Sequence, residues 1–180
     1  MAQTNNRTFC LSFELCLPIF MQIPLLISFF ILLSLYPDAQ TRGGRMEGRV
    51  VKIVDGDTYD LLTPDNIVLR IRMNGIDAPE KGQAYGQKAK EYLGQLCSKQ
   101  NIRVQWYSKD RNGRYIADSN LPDGRSLSLE MIRAGYAWHF KKYSSDTVLS
   151  NAEIKARKQL LGLWADPNPE APWIKRARRK

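Results

Sequence analysis

The chain has 180 residues, 43% of them hydrophobic and 25% charged, which is enough for one globular domain with a buried core. Its formal net charge of +9 favours a polyanionic partner, either nucleic acid or an anionic membrane surface, although simple solubility explains such a surplus equally well. The single histidine, His139, and the single cysteine beyond the N-terminal segment, Cys97, exclude a zinc site built from nitrogen and sulfur ligands. Any metal bound here must therefore be a hard cation held by oxygen.

Residues 17–36 form an uncharged, strongly hydrophobic segment close to the N-terminus. Its length favours export with or without a retained anchor, because a signal-peptide core has ~7–15 residues and a membrane span has ~20. Met21 is an alternative start that would leave a short, plain signal sequence. We therefore expect residues 1–39 to be a signal peptide or membrane anchor and residues 40–46 to be a polar linker. The protein is then secreted or periplasmic, or tethered to a membrane.

Short strands come first in the remaining sequence, and helices follow. Alternating or β-rich patterns predict strands at residues 47–54, 58–62, 67–73, 102–107 and 114–118. Apolar residues at spacings of three and four predict helices at residues 84–99, 127–134 and 149–163. This order favours an α+β domain built on a small barrel over residues 47–173. The last residues, 174–180, are predicted to be a solvated, mobile basic tail.

Two loops between the predicted strands carry four acids, which are Asp55 and Asp57 in the first loop and Asp77 and Glu80 in the second. Either pair alone is typical of an ordinary turn. Together the two loops indicate a candidate site, because strand ends in a small barrel can lie side by side. Two converging carboxylates, with backbone carbonyls and water, can supply the ~6–8 oxygen ligands that calcium takes. Carboxylates gathered so closely also repel one another unless a cation neutralises them.

Two arginines lie near these acids in the sequence. Arg72 is on the polar face of the strand before Asp77, and Arg114 follows the turn Asn112-Gly113. An arginine keeps its charge and can donate two hydrogen bonds to one phosphate, although a surface ion pair with a nearby acid is the alternative. A cation, a spare carboxylate and two arginines are what phosphodiester hydrolysis requires, since charge grows on the phosphate oxygens while water is activated.

Four stretches of the sequence resemble the staphylococcal nuclease family. Three match its signature segments in order and at familiar separations, and they are Val-Asp-Gly-Asp-Thr at 54–58, Arg-Ile-Arg-Met-Asn-Gly-Ile-Asp-Ala-Pro-Glu at 70–80 and Asp-Arg-Asn-Gly-Arg at 110–114. The ending Gly-Leu-Trp-Ala-Asp-Pro at 162–167 also resembles bacterial members. Each segment alone is weak evidence. Together, in the family's order and at its separations, the segments make the resemblance specific over residues 49–173.

The resemblance implies a fold and a metal site. The fold is a five-stranded OB-fold β-barrel with three α-helices. The implied cofactor is Ca²⁺, bound by Asp57, by Asp77 and by the main-chain carbonyl of Ala78, with Asp55 outside the direct ligands. Ala78 stands where the best-known member has threonine, which has no consequence if only the carbonyl binds the metal.

The resemblance also implies roles for side chains that contact the substrate. Arg72 and Arg114 are expected on the scissile phosphate, and Glu80 is expected to be the general base. Three further residues are expected near the nucleotide, and they are Tyr115, Tyr143 and Lys141. A neighbouring tyrosine of the family's pocket has no counterpart in this sequence, where Lys141 is nearby instead, so base stacking is the weakest part of the likeness.

The expected function is a monomeric, calcium-dependent nuclease that hydrolyses DNA and RNA and leaves 3′-phosphate ends. The alternative is a non-catalytic nucleic-acid-binding module, because OB-fold barrels also bind single strands without chemistry. A membrane-bound structural protein would explain the N-terminus and the charge but not the acids. The enzyme is favoured because the chain has all of the acids and arginines that degenerate members of the family lack in part.

Overall fold

A computed structural model of the chain describes residues 43–178. Five strands close into a barrel in the order β1-β2-β3-β6-β5, and they are β1 (Gly44–Asp55), β2 (Thr58–Leu62), β3 (Val68–Met73), β5 (Asn101–Lys109) and β6 (Tyr115–Asn120). Two short strands, β4 (Ile76–Asp77) and β7 (Trp138–His139), pair as a separate antiparallel sheet. The predicted α+β barrel is therefore confirmed.

The barrel is closed by one parallel pair, β3 with β6, while its other strand pairs are antiparallel. Alternate residues of the strands fill the interior, where Tyr59, Leu61 and Ile71 are completely buried. The buried hydroxyl of Tyr59 is hydrogen-bonded to Ser119 at 2.7 Å, so its polar atom is satisfied inside the core. Arg72 of β3 lies opposite Thr58 of β2, which brings it beside the turn between β1 and β2.

Within residues 43–178, four helices surround the barrel, together with a 3₁₀ turn at Gly162–Ala165, and they are α1 (Gly86–Cys97), α2 (Leu127–Arg133), α3 (Thr147–Lys158) and α4 (Pro172–Arg178). Helix α2 ends just before Gly135, whose φ of +72° favours glycine. Cys97 is buried on the apolar face of α1, where burial raises the pKa of its thiol to about 12. Cys97 therefore packs as a core residue.

Both ends of the described domain differ from the prediction. Strand β1 begins at Gly44, so residues 44–46 belong to the barrel and not to a linker. The prediction of a mobile tail after residue 173 was wrong up to Arg178, because Pro172–Arg178 is a fourth helix. Pro172 occupies the first helical position, which its fixed φ favours, and Trp173 stacks on Phe140 with ring centroids 5.1 Å apart. Apolar contacts therefore hold this segment against the domain, although its charge alone predicts a solvated tail.

The predicted signal peptide or anchor lies outside the described residues, and so do the hydrophobic segment 17–36 and the alternative start Met21. Within residues 43–178, no helix has both the length and the apolar character needed to cross a bilayer.

Candidate active site

Asp57 and Asp77 are brought together by a close approach of two loops. Asp57 is 5% exposed in the turn between β1 and β2, and Asp77 is 1% exposed at the end of β4. Gly56 makes the approach possible, because a Cβ atom there would lie 2.8 Å from the Cβ of Ala78 and 2.7 Å from that of Ala89. The amide of Ala78 donates a hydrogen bond of 2.8 Å to Asp57 Oδ2. The Asp-Gly-Asp sequence is therefore more than a generic turn here.

Arg72 joins the two aspartates. Its Nη1 lies against Asp57 Oδ2, its Nη2 is 2.8 Å from Asp77 Oδ1, and its side chain is only 13% exposed. Burial lowers the pKa of the Arg72 guanidinium, and the charge of Asp77 opposes that change. Arginine nevertheless keeps its charge in proteins, so a fixed cation lies between two buried carboxylates.

Glu80 and Asp77 share a further arginine, Arg176 of α4. Nη2 of Arg176 is 2.5 Å from Asp77 Oδ2, and its Nη1 is 3.0 Å from Glu80 Oε1. Sequence reasoning misses this residue, because a basic run at a C-terminus is typical of a solvated tail. The available signal was Pro172 followed by Trp173, which is typical of a helix start with an aromatic anchor.

Arg114 lies just before β6 and is held by Asp110. Its Nε and Nη2 are both 2.7 Å from Asp110 Oδ2. Its charge is close enough to contribute, after burial, to the lowered pKa of Arg72. The parallel register of Ile71 with Tyr115 places Arg114 beside the strand that carries Arg72. The two predicted phosphate-binding arginines are therefore neighbours, although only Arg72 contacts the aspartates.

The remaining predicted site residues lie in other local environments. Asp55 ends β1 opposite Thr58. Tyr115 is half-buried, with its ring edge-on to Trp106 at 5.4 Å and the amine of Lys109 over it at 4.4 Å. Tyr143 is 70% exposed, and Lys141 points to Glu153 with 3.9 Å between Nζ and Oε2. Nothing in these contacts assigns Lys141 to a nucleotide pocket.

The chemistry of the donors fits a hard divalent cation, since the carboxylates of Asp57 and Asp77 and the carbonyl of Ala78 are all oxygen ligands. Their present arrangement does not form a ready ligand shell. Within residues 43–178, no three Asp, Glu, His or Cys side chains lie together in a group that could hold a metal ion. Both carboxylate oxygens of Asp77 accept hydrogen bonds from guanidinium groups, so a cation would compete with these groups for the carboxylate.

Residues 70–166 match the sequence model of a protein family that is described as staphylococcal nuclease homologue. The match covers more than half of the chain, and it includes Arg72, Asp77, Glu80 and Arg114. The chain belongs to the staphylococcal nuclease family. Arg176 and the helix that carries it lie beyond the matched residues.

Curated relatives from several bacteria agree with this assignment. An uncharacterized endonuclease of Escherichia coli O157:H7 is 40% identical over 134 residues, covering 74% of this chain and 87% of the relative. An uncharacterized endonuclease of Haemophilus influenzae is 44% identical over 124 residues, or 69% of each chain. A micrococcal nuclease of Shigella flexneri is 38% identical over 136 residues, covering 70% of this chain and 78% of the relative. Family and relatives together support a hydrolase of the nuclease class.

Proposed function

We propose that this member of the family is a calcium-dependent nuclease that hydrolyses phosphodiester bonds in DNA and RNA and leaves 3′-phosphate ends. The observation that carries the proposal is the position of Arg72, whose guanidinium joins Asp57 and Asp77 while Glu80 lies on the loop that follows. A binding module would need basic and aromatic surface alone, and it would not need three carboxylates in neighbouring loops.

Arg72 and Arg114 would bind the phosphate oxygens on which negative charge grows in the transition state. Arg72 is buried and oriented by two aspartates, so its charge is in place before the reaction begins. Arg114 is oriented by Asp110 in the same way and is about one-third exposed, which leaves it accessible to a substrate. Preorganised donors of this kind stabilise the transition state more than the ground state.

Glu80 would orient a water molecule and take its proton. Its side chain is 28% exposed, whereas Asp77 is buried, so Glu80 is the carboxylate that a water molecule and substrate can reach. The water oxygen forms a bond to phosphorus, its proton passes to the Glu80 carboxylate, and the bond from phosphorus to the 5′-oxygen breaks. The leaving 5′-oxygen takes a proton from solvent, so the products are a 3′-phosphate and a 5′-hydroxyl.

Asp57, Asp77 and the carbonyl of Ala78 would hold the calcium ion, which when bound supplies positive charge beside the phosphate. The two aspartates are already linked through Arg72 and the amide of Ala78, so the loops that carry them are fixed relative to each other. Loop carboxylates and a carbonyl suit the irregular shell of calcium better than the strict octahedron of magnesium.

Plasmid cleavage by the purified protein tests this proposal. We expect cleavage in calcium, little in magnesium with calcium chelated, and 3′-phosphate ends in the product. Glu80→Gln should lower kcat by ~10²–10⁴, since it removes the proton acceptor. The control is Glu91→Gln, which changes an exposed glutamate of α1 that is hydrogen-bonded to Gln87. Full activity of Glu80→Gln, or equal cleavage in magnesium, would contradict the proposal.

We also propose that the protein acts as a monomer outside the cytoplasm, either released or tethered to a membrane. The hydrophobic segment 17–36 supports this location. Cell fractionation tests it, and full-length protein confined to the soluble cytoplasmic fraction would contradict it.

A further inference from the structure

We propose that Arg176 is a built-in competitor of the calcium ion, which neutralises Asp77 and Glu80 until the cation displaces it. The inference rests on the proposed function, because it concerns the cation site of the same nuclease. It adds a residue that lies outside the matched family segment, and it gives helix α4 a role in controlling metal binding.

The guanidinium of Arg176 takes the position that suits a cation. It donates to both oxygens of Asp77, at 2.5 Å from Nη2 to Oδ2 and 3.3 Å from Nη1 to Oδ1, and to Glu80 Oε1 at 3.0 Å. Charge-assisted, forked contacts of this kind are stronger than single neutral hydrogen bonds. Arg72 also binds Asp77 Oδ1, so guanidinium groups contact both oxygens of this buried carboxylate and a metal ion has to compete with Arg176 for them.

Helix α4 also makes contacts that do not involve Asp77 or Glu80. The amine of Lys175 donates to the carbonyl of Gly82 at 2.8 Å, and Arg178 is 2.6 Å from Glu170. Trp173 stacks on Phe140 with an interplanar angle of 9°. Because these contacts hold the helix independently, the side chain of Arg176 can leave Asp77 without undocking α4.

The docked helix is also linked to the loop that carries Glu80. The side chain of Gln83 accepts a hydrogen bond from the amide of Glu80 at 3.1 Å and donates to the carbonyl of Glu170 at 2.9 Å.

The side chain of Arg176 is 39% exposed, whereas that of Arg72 is 13% exposed. Of the two arginines on Asp77, Arg176 is therefore the one that solvent reaches and that a cation can replace.

Charge balance makes the exchange physically reasonable. Arg72 links Asp57 to Asp77, and Arg176 links Asp77 to Glu80, so each of these acids is already compensated by a guanidinium group. A divalent ion supplies more charge than one guanidinium and binds the same oxygens, so the two occupants exclude each other at Asp77. Removing the competitor should raise the affinity of the site for calcium, because the ion then no longer breaks an existing ion pair.

Calorimetric titration of the full-length protein with calcium chloride measures this affinity without any nucleic acid. We expect Arg176→Gln to bind calcium about 10-fold more tightly than the wild type, which corresponds to the loss of one charge-assisted contact. The control is Arg178→Gln, which is two residues along the same helix and pairs with Glu170 instead of the site acids. Its calcium affinity should equal that of the wild type.

Folding is checked by near-ultraviolet circular dichroism and by the melting temperature without calcium. Should Arg176→Gln unfold, Arg176→Lys keeps the charge, loses the forked geometry and should still bind calcium more tightly than the wild type. A calcium affinity of the Arg176 variants that is unchanged or weaker would overturn the inference, and Arg176 would then support the bound form. Absence of calcium binding by every variant would overturn the calcium-dependent function as well.

Discussion

Two buried carboxylates in this nuclease have nearly the same exposure but different surroundings. Asp77 is 1% exposed and Glu153 is 2% exposed, and each is bound by two basic side chains. The partners of Glu153 are Arg157, one turn along the same helix α3, and Lys141. The guanidinium of Arg157 also lies over the ring of Trp164 at 4.0 Å, which encloses the pair in aromatic side chains.

Asp77 has partners from elements far apart in the chain, and it has acidic neighbours. Arg72 of β3 links it to Asp57, and Arg176 of α4 links it to Glu80. A buried ion pair is therefore weak evidence for function by itself, because the Glu153 centre has one too. The bridging distinguishes the two centres, because the arginines of Asp77 also bind the carboxylates of Asp57 and Glu80, whereas Arg157 and Lys141 pair with Glu153.

The largest effect expected from this comparison is on catalysis. Arg72→Lys keeps the positive charge but cannot bridge Asp57 and Asp77 while it binds a phosphate, because an ammonium group lacks the planar fork. We expect kcat to fall by ~10²–10³ while the protein stays folded. Steady-state kinetics on one oligonucleotide in calcium, with circular dichroism of the same samples, gives both quantities. An unchanged kcat would remove Arg72 from the proposed mechanism.

The matched substitution at the other centre should affect stability and spare catalysis. Arg157→Lys retains the charge near Glu153 but loses the guanidinium contact with Trp164. We expect the free energy of unfolding to decrease by ~0.5–2 kcal/mol, in line with a partly exposed cation–π contact. Urea denaturation measures this decrease, and kcat should stay within about twofold of the wild type. A loss of kcat as large as that of Arg72→Lys would erase the distinction between the two centres.

The smallest effect expected is a pH dependence that arises near Glu153. His139 is 3% exposed between the hydroxyls of Ser144 and Ser150, and burial lowers its pKa, with the charge of Glu153 opposing the change. The unfolded chain therefore takes up a proton more readily than the native protein, so stability is complete above pH ~6.5 and declines as the pH falls below it.

His139→Gln should remove this part of the decline, which cannot exceed ~1.4 kcal/mol per pH unit for one proton. The measurement is the free energy of unfolding of both proteins by urea at pH 7.5, 6.5 and 5.5. The slopes should converge above pH ~6.5 and differ below it. Identical slopes over the whole range would show that His139 does not titrate differently in the folded state.

The sequence alone determined the features that depend on near neighbours in the chain. The alternation in residues 67–73 predicted a half-buried strand, and β3 buries Ile71 and Met73 while Arg72 faces the site. The spacing of apolar residues predicted helix α1 to within two residues at each end. The resemblance to a nuclease family grouped Asp57, Asp77 and Arg72, which are in contact, whereas their roles in metal binding and catalysis remain predictions.

Only the tertiary structure decided which charged groups meet across the chain. Arg176 and Asp77 are 99 residues apart, and although Pro172 and Trp173 indicate a helix start, nothing in the sequence around Arg176 names its partner. The position of Arg176 depends on its helix, which packs through the stacking of Trp173 on Phe140. The ion pair of Lys141 with Glu153 likewise joins separate elements of the fold. Periodicity reports which face of an element is buried because burial follows from local geometry. The partner of an ion pair depends on where separate elements dock, and no local pattern contains that information.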